Sequence, residues 1–140
     1  MLIGAALLWM LALSVYDVRQ RRLPNLLTLS GAGAIVVGAA VAGHGMAALS
    51  GAAALTTVYL LVHLVAPTSM GAGDVKLAIG LGAVTGCFGA EVWFLAAIGA
   101  PLLTAVLGTV AWLGWSAKAV PHGPSMCLAS AAALGLAQLT

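Results

Sequence analysis

Acids are scarce in this 140-residue chain. There are three, Asp17, Asp74 and Glu91, and a carboxylate bordering long apolar stretches is costly enough to need a reason. Asp17 stands at the end of the first apolar stretch and Asp74 at the start of the fourth. Brought within a few ångströms, two carboxylates share one proton, so that one takes a proton from water while the other donates to a carbonyl oxygen. That is aspartyl-protease chemistry, and it needs no nucleophilic serine, metal or cofactor. The chain carries no His-Glu-x-x-His and no Gly-x-Ser-x-Gly, the patterns of zinc and serine hydrolases.

The neighbours of each acid differ. After Asp17 come Arg19, Arg21 and Arg22, then Leu23, Pro24 and Asn25. This reads as a basic turn, with Pro24 disfavouring helix before it and Asn25 placed to cap the next helix. Gly71 and Gly73 precede Asp74 and Lys76 follows it; the glycines allow the close backbone approach that suits an extended peptide. If Asp74 caps its helix, the positive helix end favours its ionised form, whereas Asp17 in a last turn faces a negative end. Asp74 is therefore expected to act as the base and Asp17 to hold more of the shared proton. Spacing alone leaves a plainer reading equally open: Asp17 pairs with Arg21, Asp74 only caps its helix, and Lys76 snorkels to lipid headgroups.

Composition says what must position these residues. Hydrophobic residues make up 63% of the chain and charged ones 6%, with mean hydropathy +1.15. A water-soluble domain needs about a quarter of its residues charged, so the solvent is mostly lipid. Charges, prolines and glycine clusters divide the chain into about six apolar spans of membrane-crossing type, at 1–16, 25–42, 47–66, 74–90, 92–115 and 122–140. The expected fold is an all-α polytopic membrane protein, one domain over 1–140. Basic residues lie in the first, third and fifth connections, as Arg19, Arg21 and Arg22, then Lys76, then Lys118, while the second and fourth have none. The odd connections are therefore cytoplasmic and both termini outside. Two crossings separate Asp17 from Asp74, which returns the chain to the starting side and lets the two acids meet at the cytoplasmic boundary.

Other features have simpler readings. The stretch 1–16 lacks the basic start of a signal peptide, and another apolar span follows closely. Cys87 and Cys127 sit in apolar runs as small hydrophobes rather than as a metal tetrad or disulfide framework. Gly82 and Gly86, four apart, suit close helix packing in lipid. His44 reads as an outer-loop residue and His63 as a packed one. The basic cluster is too small for a nucleic-acid surface. Thr68, Ser69 and Met70 are candidates for substrate contact by position alone, with a structural turn the simpler reading.

The two acidic motifs resemble those of the type IV prepilin peptidase family of intramembrane aspartyl proteases. Asp17, Arg21 or Arg22, Leu23, Pro24 and Asn25 match the family's first signature, and Gly71, Gly73, Asp74, Val75 and Lys76 its Gly-x-Gly-Asp motif. Pro121-His122-Gly123-Pro124 is similar to a Pro-Phe-Gly-Pro before the last helix, with His122 in place of Phe and read as an ordinary helix-end histidine. The resemblance implies a catalytic pair of Asp17 and Asp74, supported by Arg21, Arg22, Pro24, Asn25, Gly71, Gly73 and Lys76. It implies an enzyme of the bacterial plasma membrane that removes the basic leader of a prepilin-like precursor at the cytoplasmic face. Its partners are that precursor and membrane lipid, and it has no cofactor. Larger relatives carry an amino-terminal Cys-x-x-Cys insert and methylate the product; the chain has no such insert, so methyl transfer is not carried over. The compact form is similar to peptidases of Flp or tight-adherence pili.

Two rivals follow from the same residues. One is a non-catalytic membrane assembly subunit of a pilus or secretion system, which cleavage of a precursor separates from the enzyme. The other is an ion conduit, which lacks a chain of polar residues across the bilayer.

Overall fold

A computed structural model describes residues 2–20, 23–68, 71–115 and 121–140. Among them are six helices and no strand: α1 Leu2–Gln20, α2 Asn25–Val41, α3 Gly45–Val65, α4 Ala72–Gly86, α5 Ala90–Trp115 and α6 His122–Leu139. They follow the six apolar stretches in order. α3 and α5 are long and apolar enough to cross a membrane. Large apolar side chains such as Leu8, Leu11, Val37, Leu64, Ile98, Val106 and Leu128 face outward, a surface suited to lipid and unsuited to water.

The boundaries move where local chemistry decides them. α1 runs on to Gln20, so Asp17 and Arg19 belong to its last turn rather than to a connection. α2 has Pro24 at its N-cap in extended conformation and no side-chain cap bond, which corrects the expectation that Asn25 caps it. Proline is pre-set for extended backbone and has no N–H to satisfy, and Asn25 is left to spend its side chain elsewhere. α4 starts at Ala72 with Gly71 as N-cap, again without a side-chain bond, so Asp74 stands in the first turn and is not the cap. His44 is the exposed N-cap residue of α3, and Glu91 lies in the first turn of α5.

α4 is the centre of the bundle. Leu77, Ala78 and the run Gly80 to Thr85 are buried, and α4 packs against α2, α3, α5 and α6. A helix covered on so many sides carries no polar face. Its small residues let neighbouring backbones approach: a Cβ on Gly51 of α3 would lie 2.3 Å from the carbonyl oxygen of Gly82 and 2.9 Å from Gly86 Cα. The Gly82 and Gly86 pair is therefore the seat of α3, the packing role that such spacing suits in lipid. Two indoles close the bundle: Trp9 Nε1 donates to the Leu27 carbonyl at 2.9 Å, and Trp93 Nε1 to the Gly51 carbonyl at 3.0 Å. Cys127 is buried, Cys87 is half-buried, and neither is in a disulfide. His63 lies half-buried in α3.

At 1.5 Å per residue the 15 residues of α4 span about 22 Å. That is short of a hydrocarbon core of about 30 Å. Asp74 stands in the first turn of this short central helix. α1 packs on α2 and α6, and Asp17 lies in its last turn.

Candidate active site

The last turn of α1 and the first turn of α4 meet at one cleft of about 240 Å³, lined by Asp17, Leu23, Asn25, Gly71, Gly73, Asp74 and Lys76. Residues from both acidic motifs thus share a single wall, and the charge of Asp17 acts on Asp74 across it. Leu23 and Asn25 also line a neighbouring cleft of about 440 Å³ with Tyr16, Gln20, Pro24 and Leu26, so the acidic cleft opens along the start of α2. Arg21, Arg22, Ser69, Met70 and Lys118 lie outside the described residues. Thr68 is exposed in the turn after α3 and is not among the lining residues.

Asp17 is 8% exposed. A carboxylate so enclosed needs donors, and one comes from an unexpected direction: the backbone N–H of Gly123, in the first turn of α6, donates to Asp17 Oδ2 at 3.0 Å. The approach is so close that a Cβ on Gly123 would lie 2.3 Å from Oδ2 and 3.0 Å from Cγ. Only glycine lets α6 come this near. The positive end of α6 therefore faces Asp17, opposing the negative end of α1 on which the expected asymmetry rested. Asp17 lies between the last turn of α1 and the first turn of α6, and Asp74 in the first turn of α4, so dipoles alone do not make Asp74 the base.

Asp74 is half-buried at the third position of α4, and its backbone N–H donates to the Gly71 carbonyl at 3.2 Å. Gly73 faces Leu23, whose Cβ would be 3.4 Å from an added methyl, so this edge of the cleft is snug but not closed. Lys76 Nζ donates to Asn25 Oδ1 at 2.7 Å. This bond ties the start of α2 to α4 at the exposed rim, and it accounts for both side chains where capping and snorkelling were expected.

Behind Gly123 stands His122, and its role departs from an ordinary helix-end histidine. Its Nε2 is 3.2 Å from the Tyr59 hydroxyl of α3, and its Nδ1 is 2.5 Å from Thr104 Oγ1 of α5. Tyr59 is buried, with its ring centroid 5.7 Å from the imidazole. Sequence reasoning missed Tyr59 and Thr104. Neither carries a local motif, and only the similarity of Pro121-His122-Gly123-Pro124 to a family turn pointed toward this corner.

Such an arrangement can do carboxylate-pair chemistry on a peptide laid along the glycines. One carboxylate accepts from a backbone N–H, the other sits in a helix's first turn beside Gly71 and Gly73, and a second cleft shares Leu23 and Asn25 with the first. Among the described residues no group of His, Cys, Asp and Glu is disposed to hold a metal ion. A sequence model of the family described as "Type IV leader peptidase family" matches residues 4–113. That interval includes both acids and ends before α6. Searches of curated proteins and of solved structures gave no match.

Proposed function

The chain belongs to the type IV leader peptidase family, a membership that makes it a peptidase of prepilin type, and we propose that it works as an intramembrane aspartyl endopeptidase through Asp17 and Asp74. The observation that carries this reading is the single cleft lined by both carboxylates. A water molecule held between them gives a proton to one carboxylate as its oxygen attacks the scissile carbonyl carbon. The other carboxyl group protonates the carbonyl oxygen, giving a neutral tetrahedral diol. Breaking the C–N bond returns a proton to the leaving nitrogen, so the products are a carboxylic acid and a free amine and the pair is restored.

The substrate is a prepilin-like precursor cut between its basic leader and its apolar helix. The strand being cut runs past Gly71 and Gly73, where an added side chain would narrow the cleft. Six spans in one domain, both termini outside and the cleft toward the cytoplasm complete the reading. Arg19 in the last turn of α1 and Lys76 in the first turns of α4, with the basic residues of the first and fifth connections, support this orientation, in a bacterial inner membrane and in a pilus system of the Flp kind.

Co-expression with a pilin-like precursor tests the proposal. A leader-sized mobility shift that disappears in Asp17→Asn and in Asp74→Asn supports it. A shift that persists in both variants overturns it, as does labelling that finds positions 17 and 74 on opposite sides of the membrane. No shift with any precursor leaves the assembly subunit as the better reading.

A further inference from the structure

The hydrogen bonds around His122 define a direction. Thr104 has one hydroxyl proton, and Oγ1 directs it to the Ala100 carbonyl at 3.1 Å. The lone pairs of Oγ1 are therefore left to accept from His122 Nδ1–H. In a neutral imidazole the other nitrogen is then an acceptor, and the Tyr59 hydroxyl donates to Nε2. Both ring nitrogens are satisfied, one from α3 and one from α5, while the ring itself belongs to α6. A partly buried polar network with both bonds made holds one arrangement and penalises others. Here the arrangement has a consequence one residue along the chain, because the peptide unit joining His122 to Gly123 carries the N–H that reaches Asp17 Oδ2.

We propose that His122, clamped between Tyr59 and Thr104, is a positioning residue that holds the first turn of α6 against Asp17 and so fixes that carboxylate for peptide cleavage. The proposal rests on the aspartyl reading of Asp17 given above. An apolar side chain at position 122 would fill the space but could not lock the turn in register, since packing alone tolerates small sliding that a pair of directional bonds does not. Loss of the clamp lets the Gly123 N–H drift from Oδ2. The carboxylate then loses a donor that has to be in place before the transition state is reached.

The test uses purified protein and a prepilin-like precursor in detergent, with rates expressed per folded molecule. His122→Ala is expected to lower kcat by about tenfold or more, the effect of one hydrogen bond at the reacting group, with KM within about twofold because no substrate contact is removed. Tyr59→Phe and Thr104→Val, which keep the shape and remove one bond each, lower kcat in the same sense. Their combination is no worse than His122→Ala, since all act through one ring. His122→Gln, which restores one donor and one acceptor, recovers part of the rate. If His122→Ala does not fold, the two shape-preserving variants decide. Unchanged kcat in Tyr59→Phe and Thr104→Val, or a loss confined to KM, overturns the proposal. Asp17→Asn and Asp74→Asn run in parallel separate two failures. Inactive Asn variants beside a fully active His122→Ala refute the positioning role alone, whereas active Asn variants remove the reading on which it rests.

Discussion

Gly123→Ala changes one hydrogen atom into a methyl group at the point where α6 meets Asp17. The new carbon would lie 2.3 Å from Oδ2, and ordinary contact begins at 3.4 Å, so helix and carboxylate must part by about 1 Å. A 3.0 Å hydrogen bond stretched by that much is no longer one. Hydrogen bonds to charged groups are worth about 1.5–3 kcal/mol, which corresponds to a loss of about 10- to 150-fold in rate if the bond persists to the transition state. The clash with buried Asp17 is also overpacking and is expected to lower stability, so rates are expressed per folded molecule. The assay is kcat for precursor cleavage by purified variants, with helix content from circular dichroism, and Gly33→Ala as the control at a position with open space. Cleavage by Gly123→Ala within about twofold of the parent would refute the idea that this contact holds Asp17.

Other expectations follow from the same contacts. Gly73→Ala places a methyl in ordinary contact with Leu23; thermal stability is expected to be unchanged and KM to rise severalfold, and an unchanged KM counts against a peptide passing Gly73. Gly51→Ala drives a methyl into the backbone of α4 and is expected to cost about 1–3 kcal/mol through overpacking, read as a lowered melting temperature in detergent; a melting temperature equal to that of Gly33→Ala would contradict the packing. Lys76→Ala removes an exposed bond to Asn25 worth about 0.5–1.5 kcal/mol. Cleavage is expected to fall by less than about tenfold, and complete loss with normal folding would give Lys76 a direct part in the chemistry.

Much of the architecture was legible because lipid imposes simple demands. Long apolar runs broken by Pro24, Pro121, Gly43 and Gly89 could hardly be anything but six consecutive helices, and the two positive-φ turns fall at Gly43 and Gly89. Asp17, Asn25, Gly71, Gly73, Asp74 and Lys76 could be grouped because each motif is local and the two crossings expected between them would return the chain to one side. What escaped were the contacts between motifs. A helix dipole can be assigned to Asp17 from its own helix, yet nothing in its neighbours says that the opposite end of α6 will press on it. Tyr59 lies in an apolar run and Thr104 soon after Pro101; their meeting at His122 depends on the rotation of three helices, which small residues such as Gly51, Gly82 and Gly86 set through packing rather than through a readable pattern. The caps were misassigned for a related reason: Asn25 had a lysine from another helix within reach, and a side chain makes the better bond available in three dimensions.

The most direct measurement is cleavage of a prepilin-like precursor by a purified, folded Asp17→Asn/Asp74→Asn double variant, followed by mass spectrometry of the products. Two amides cannot exchange the proton that the carboxylate pair passes between water and substrate, so no free leader peptide is expected while the parent protein releases it at the same concentration. Release of the leader by the double variant at the parent rate would contradict carboxylate catalysis at this cleft.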